Sequence, residues 1–206
     1  MSHRMSEEAW EHLALEVLGE VFWQPKPGAE IAPGSGERET WDELLIPSRL
    51  RTKMRELNPG VPREYIDQAL AMIVAPTSQD AITENYRIHR YLTEGFRGLT
   101  YIDDACQEHT PTIRLISAEP NENDWLAVNQ VTIAKGDFER RFDIVLYLNG
   151  KPVSIIELKQ SGTKHADVTA AHAQLQTYRR KFPIAFRFAV IVIAMAGIPA
   201  RSGTSY

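Results

Sequence analysis

Residues 140 to 159 constrain this chain more than any other stretch. Two apolar runs, Arg140-Arg141-Phe142-Asp143-Ile144-Val145-Leu146-Tyr147-Leu148 and Lys151-Pro152-Val153-Ser154-Ile155-Ile156-Glu157-Leu158-Lys159, flank the dipeptide Asn149-Gly150. That order predicts a β-hairpin. Asp143, Glu157 and Lys159 sit where an apolar strand should carry no charge. Ionisable groups in such a setting are costly unless they are paired or hold a metal. Two converging carboxylates beside a lysine suit a hard divalent cation next to a reacting phosphate, which is nuclease chemistry. The plainer alternative is a salt-bridged pair on a half-exposed hairpin.

Register decides between the two. Strand side chains alternate, so Glu157 and Lys159 share a face, about 6.6 Å apart at roughly 3.3 Å per residue. A two-residue turn pairs Leu148 with Lys151 and sends Glu157 to the face opposite Asp143. A three-residue loop over 149–151 pairs Leu148 with Pro152 and sets Asp143 against Glu157, because a one-residue slip exchanges every face. The expectation is the longer loop, with Gly150 left-handed. Pro152, which lacks an N–H, then opens the second strand.

Residues 166–181 are rich in helix formers and end on Arg179, Arg180 and Lys181, which suit a helix C-terminus. Pro183 stops the helix. Gln174 and Tyr178 are four apart and share a face, which the strand–turn–strand–helix order brings near the charged pocket. Both side chains can contact phosphate; a surface Gln and a half-buried Tyr are the alternative. Arg140 and Arg141 beside Asp143, like the 179–181 cluster, fit either phosphate contact or the solvated end of an element.

Five runs then occur in order: 85–95; Asn121-Glu122-Asn123-Asp124-Trp125-Leu126-Ala127-Val128-Asn129-Gln130-Val131-Thr132; Asp143 with Glu157-Leu158-Lys159; Gln174-Leu175-Gln176-Thr177-Tyr178; and Gly197-Ile198-Pro199-Ala200-Arg201-Ser202-Gly203-Thr204. Together they resemble the N-terminal region of the restriction (motor) subunit of type I restriction-modification enzymes. The resemblance covers most of the chain. It implies an α/β (or α+β) PD-(D/E)xK restriction-endonuclease-like core, a mixed sheet flanked by helices. It makes Asp143 and Glu157 metal-binding acids and Lys159 the group that orients water and steadies charge on the phosphate. Gln174 and Tyr178 match the family's Gln-x-x-x-Tyr pattern, which supports nuclease function and DNA contact. A further metal-binding acid on the first helix matches Glu11 best and Glu7 next. The implied cofactor is Mg²⁺, with Mn²⁺ a substitute; ATP enters only through motor domains absent from this chain. The implied partners are double-stranded DNA and the modification and specificity subunits. Phe142 replaces the usual Pro before the Asp, a change at the strand entry only. Ala194-Met195-Ala196-Gly197 replaces a more polar stretch and puts a local turn in question.

Composition fits this reading. A chain of 206 residues, 43% hydrophobic and 24% charged, builds a sizeable core. It reads as a single domain spanning 1–206, with a helical region over 1–95 and a sheet core over 96–206. A net charge of −4 gives no global basic footprint, so DNA affinity must be local or supplied by an assembly. The lone Cys106 rules out an internal disulfide framework and a multi-cysteine zinc site, and suits a reducing cytoplasm. The polar start is not expected to act as a secretory signal. The apolar run Phe188–Gly197, at about ten residues, is too short to span a bilayer and reads as a buried central strand. His165 and His172 are expected at the surface or in packing.

The rest of the chain predicts an amphipathic helix over 6–23, with a stripe of Trp10, Leu13, Ala14, Val17, Leu18 and Val21. A mobile Pro/Gly-rich loop is expected at 25–36. Helices are expected over 41–57, 62–74 and 78–94, the last capped by Ser78, with Tyr86 and Tyr91 in packing. Strands are expected near 113–118, 126–134, 139–149, 153–160 and 186–195. No Gly-x-x-x-x-Gly-Lys-Ser/Thr phosphate loop is present, and Gly150-Lys151-Pro152 reads as a turn. The chain is therefore not an ATP-driven motor by itself; ending just after a family run, it is expected to be an expressed fragment or truncated product. Three functions stay open: the endonuclease domain of a type I motor subunit, a stand-alone nuclease or repair enzyme of the same superfold, and a non-catalytic module that docks the motor on the methyltransferase core.

Overall fold

A computed structural model describes residues 6–159, 168–196 and 200–204. In chain order the elements are α1 (Glu7–Gly19), β1 (Gln24–Pro27), α2 (Pro47–Leu57), α3 (Arg63–Val74), α4 (Ala81–Glu94), β2 (Tyr101–Ile102), β3 (Glu108–His109), β4 (Trp125–Lys135), β5 (Phe138–Leu148), β6 (Lys151–Lys159), α5 (Val168–Lys181), α6 (Pro183–Phe186), β7 (Ile191–Ala196) and β8 (Ala200–Thr204). Six strands form one mixed sheet in the order β1-β4-β5-β6-β7-β8. The β1–β4 and β6–β7 pairs are parallel and the others antiparallel. Parallel neighbours need a crossover, and α5 with α6 supplies the one between β6 and β7. The α/β expectation of a mixed sheet flanked by helices holds. No helix among the described residues is long and apolar enough to cross a membrane.

Each sheet face carries a core. On one, Val128, Val131, Phe142, Val145, Tyr147 and Ile155 pack against Ala171, Leu175 and Tyr178 of α5 and Phe182 beyond it. On the other, Ala127, Ile144, Leu146, Ile156 and Leu158 meet Ala14, Leu15 and Leu18 of α1, and Trp23. Helices α2, α3 and α4 bury Leu50, Met54, Ile66, Leu70, Ile73 and Ile88 in a core of their own, which Phe188 joins.

Several sequence expectations need correction. The segment expected as a mobile loop contributes β1, with Gln24 opposite Leu126; its prolines are tolerated because an edge strand need not donate on both sides. Helix α1 ends at Gly19, and its rotation differs from the apolar stripe. Ala14 and Leu18 face the sheet, whereas Leu13, Val17 and Val21 are exposed. Glu11 shares the inward face and meets polar partners on β4. Helix α2 starts at Pro47, a residue pre-organised for a first turn and hostile to helix before it. Asp80, not Ser78, caps α4: its carboxylate accepts from the Thr83 N–H at 2.8 Å. Tyr86 is exposed, while Tyr91 packs edge-on against Phe96. The strand expected at 113–118 reduces to one bridge, Phe96 to Ile113. Residues 183–186 form α6, so β7 begins only at Ile191, which is exposed. The edge strand β8 lies beyond the strands expected from the sequence, and His165 lies outside the described residues.

Candidate active site

The hairpin closes more tightly than expected. Asn149 (φ 53°) and Gly150 (φ 79°) are both left-handed, so two residues complete the turn and Leu148 pairs with Lys151. Asn and Gly are the pair that such a turn favours. Pro152 is accordingly the second residue of β6. The buried Asn149 fixes the turn: its side chain accepts from the Asp124 N–H at 2.7 Å and donates to Leu115 O at 2.9 Å. Lys151 is wholly buried and donates to the same Leu115 oxygen at 3.0 Å. Burial holds its pKa down at about 7.

A bulge then supplies the slip that a longer loop would have given. Tyr147 pairs with Pro152 but Leu146 pairs with Ser154, so Val153 is the extra residue. From there Val145 faces Ile155 and Ile144 faces Ile156. The next rung of that register is Asp143 with Glu157. The expected convergence of the two acids thus stands, although the expected turn does not.

That rung is also where β4 and β5 depart from simple alternation. On β4, Leu126 and Val128 share a core with Val131 and Ile133; on β5, Phe142 shares it with Val145 and Tyr147. Both strands therefore exchange faces at one level. The ladder runs from Asn129–Ile144 to Val131–Phe142 and omits Gln130 and Asp143 between them. Gln130 has φ 53°, a region uncommon for a residue with a side chain. Freed from the ladder, Asp143 accepts from the Leu158 N–H at 2.7 Å.

Glu157 is 1% exposed. Its Oε1 accepts from Gln174 Nε2 and lies 3.3 Å from Lys159 Nζ. Its Oε2 is buried without a hydrogen-bond partner among the described residues. Burial, then the charge of Asp143, lifts its pKa to about 8 against the pull of Lys159 and Gln174. Burial also raises the Asp143 pKa, opposed by the Leu158 N–H and Lys159. Burial draws the Lys159 pKa down, but Glu157, Glu7 and Asp143 outweigh it and the net shift is upward. Gln174 Nε2 also donates to the Tyr178 hydroxyl, and the Tyr178 ring is buried edge-on against Phe142. Gln174 and Tyr178 thus turn toward Glu157 rather than out to solvent.

The remaining candidates separate. Glu11 is buried and Glu7 exposed, and the charges of both raise the Asp143 pKa. Glu11 accepts from Asn129 Nδ2 at 2.6 Å and from Gln130 Nε2. Arg140 is half-buried and within electrostatic reach of Tyr178, whereas Arg141 is exposed. His172 is exposed. Sequence reasoning assigned no role to Asn129 or Gln130, although two amides in the apolar run 125–133 are the same kind of irregularity that marked Asp143.

Among the described residues no group of three or more His, Cys, Asp and Glu side chains is arranged to hold a metal. The pair itself fits one. Asp143 and Glu157 repel, both are pushed toward the neutral form, and one buried carboxylate oxygen has no partner. A hard cation with oxygen ligands answers all three conditions.

Residues 4–205 match the profile of the family described as type I restriction enzyme R protein N terminus. The chain belongs to this family. Among its relatives, the type I restriction enzyme HindI endonuclease subunit of Haemophilus influenzae is 26% identical over 204 residues, covering 97% of this chain and 19% of the relative. A Methanocaldococcus jannaschii protein provisionally named the endonuclease subunit of type I restriction enzyme MjaIXP is 26% identical over 202 residues, with 94% and 19% covered. The chain therefore spans about a fifth of the length of these curated relatives.

Proposed function

We propose that this chain is the nuclease domain of a type I restriction R subunit and hydrolyses DNA phosphodiesters with a divalent cation held by Asp143 and Glu157. The observation that carries this reading is the buried, unpartnered Oε2 of Glu157 beside a second carboxylate of raised pKa. Apolar burial of two like charges costs folding energy, and a cation held by Asp143 and Glu157 would offset that cost. When bound, the cation supplies charge neutralisation at the phosphate and water acidic enough to attack at neutral pH.

The chain's own groups do the rest. Asp143 is aimed by the Leu158 N–H. Gln174 and Lys159 restrain one oxygen of Glu157 and leave the other available. Lys159, held protonated by the surrounding carboxylates, places a positive charge where charge grows on the phosphate and donates to the incoming water. Glu11, on α1, is the third acid and steadies the site from the other side. Arg140 and Arg141 at the start of β5 contact the DNA backbone, while Gln174 and Tyr178 serve the site by holding Glu157. Mg²⁺ is the cation and Mn²⁺ substitutes for it. In the complete subunit, cutting is coupled to ATP-driven motor domains, and the modification and specificity subunits supply the target sequence. The setting is the cytoplasm, where foreign DNA is met.

The test is calorimetric titration of Mg²⁺ and Mn²⁺ into this chain, to millimolar levels and with duplex DNA in a parallel run. Wild type is compared with Asp143→Ala and Glu157→Ala. Binding lost in both variants supports the reading. Binding absent from wild type, or unchanged in the variants, overturns it in favour of a non-catalytic module.

A further inference from the structure

Two residues on β4, Asn129 and Gln130, stand apart from the acids and lysine proposed above. Gln130 combines a left-handed backbone with a polar side chain inside an apolar strand. Such a conformation costs of order 1 kcal/mol or more and persists only where the surroundings impose it. The surroundings here are specific. Gln130 and Asp143 are the pair that the β4–β5 ladder omits, and both strands exchange faces at that level. Behind the turn, β1 leads into Gly28, whose backbone lies so close that an added Cβ would sit 2.4 Å from Gln130 O and 2.7 Å from Asn129 O. On the side-chain side, Asn129 and Gln130 each donate an amide to a different oxygen of the buried Glu11. A buried carboxylate with both oxygens satisfied is held in one orientation.

We infer that Gln130 is a positioning residue: its left-handed turn releases Asp143 from the ladder toward Leu158 and Glu157, while its side-chain amide, with Asn129, docks Glu11 and hence α1 beside Asp143. One residue thereby sets two arms of the site, Asp143 through the backbone and Glu11 through a hydrogen bond. Ordering a left-handed residue in mid-strand has no other evident return, since Gln130 is half-buried and fills no apolar core position. The inference rests on the metal-site reading above only for what the carboxylates hold; the docking of α1 does not depend on it.

Two substitutions at this position separate the arms. Gln130→Gly keeps the positive φ at no steric cost but removes the amide. Gln130→Val removes the amide and resists positive φ, because a β-branched side chain is an outlier there. Each is followed by amide hydrogen exchange across α1 and β6 and by Mn²⁺ titration, with Ile133→Val on the same strand as a control for loss of packing.

In Gln130→Gly, exchange across α1 should rise while β6 stays protected, and Mn²⁺ affinity should fall about tenfold, the scale of lost support around metal ligands. In Gln130→Val, Mn²⁺ affinity should fall to the level of Asp143→Ala. Ile133→Val should lower thermal stability and leave both readouts unchanged. Wild-type α1 protection and Mn²⁺ affinity in both Gln130 variants would overturn the inference. Should Gln130→Val not fold, Gln130→Gly decides alone. Should wild type bind no Mn²⁺, the metal reading fails and α1 exchange still decides: protection lost in Gln130→Gly sustains the positioning role, and protection retained removes it.

Discussion

The Asp143 carboxylate accepts the Leu158 N–H at 2.7 Å, so a side chain stands in for the backbone rung missing at that level. Asp143 therefore has a structural duty separable from metal binding. Asp143→Asn keeps an oxygen acceptor and removes the charge that raises the Glu157 pKa. Its metal-free stability should equal or exceed wild type at pH 8, while Mn²⁺ binding is lost. Asp143→Ala leaves the Leu158 N–H unpaired and should cost about 1–3 kcal/mol. Urea denaturation of the three proteins checks this; equal losses in Asn and Ala would show that the hydrogen bond contributes nothing.

Glu157 should make the metal-free protein less stable as the pH rises. Its folded pKa is about 8, against an ordinary value of 4.5. Between those values the folded state holds a proton that the unfolded state has released, so stability falls with rising pH through that window and levels above it. The slope approaches about 1.4 kcal/mol per pH unit for one proton. Glu157→Gln should remove that component of the slope, stabilise the metal-free fold near pH 8 and abolish Mn²⁺ binding. Denaturation midpoints at pH 5, 6.5 and 8 give the comparison; parallel slopes in wild type and variant would deny Glu157 its raised pKa.

Lys151 should act in the opposite sense over a higher range. Its folded pKa is about 7 and its ordinary value 10.5. Between them the unfolded chain binds the extra proton, and stability rises with pH. Lys151→Met removes the buried amine without orphaning its acceptor, since Leu115 O also receives the Asn149 amide. The variant should be more stable than wild type at pH 7, and the gain should shrink as the pH rises and vanish only above the ordinary value of 10.5. A gain independent of pH would assign the effect to packing alone.

The features of the site legible in the sequence were those that contradict their own surroundings. Asp143 and Glu157 interrupt apolar runs, and Gln174 and Tyr178 are bound to one helix face by their spacing. The rest depended on partners remote in the chain. Glu11 meets Asn129 118 positions away, on the face that α1 turns to the sheet in place of the apolar stripe. The Pro-rich 24–27 segment becomes a strand only because the edge of β4 is there to pair with. The bulge at Val153 restored a register that the two-residue turn would have broken. Turn and bulge are each local, but their sum is visible only in the paired sheet.

The family resemblance implies that Tyr178 contacts DNA, yet its ring is buried against Phe142 at 5.4 Å and its hydroxyl receives the Gln174 amide that also reaches Glu157. Its effect on cutting should therefore pass through Glu157. Tyr178→Phe keeps the ring and removes one restraint on Gln174. Stability should change by less than about 1.5 kcal/mol, the scale of one hydrogen bond, while DNA cleavage by a reconstituted complex falls and DNA affinity holds. Tyr178→Ala also empties the core beneath α5 and should cost about 3–5 kcal/mol, as for other large aromatic deletions. Cleavage and DNA-binding assays on the Phe variant distinguish the roles: weaker DNA binding with unchanged single-turnover cutting would return Tyr178 to the DNA surface.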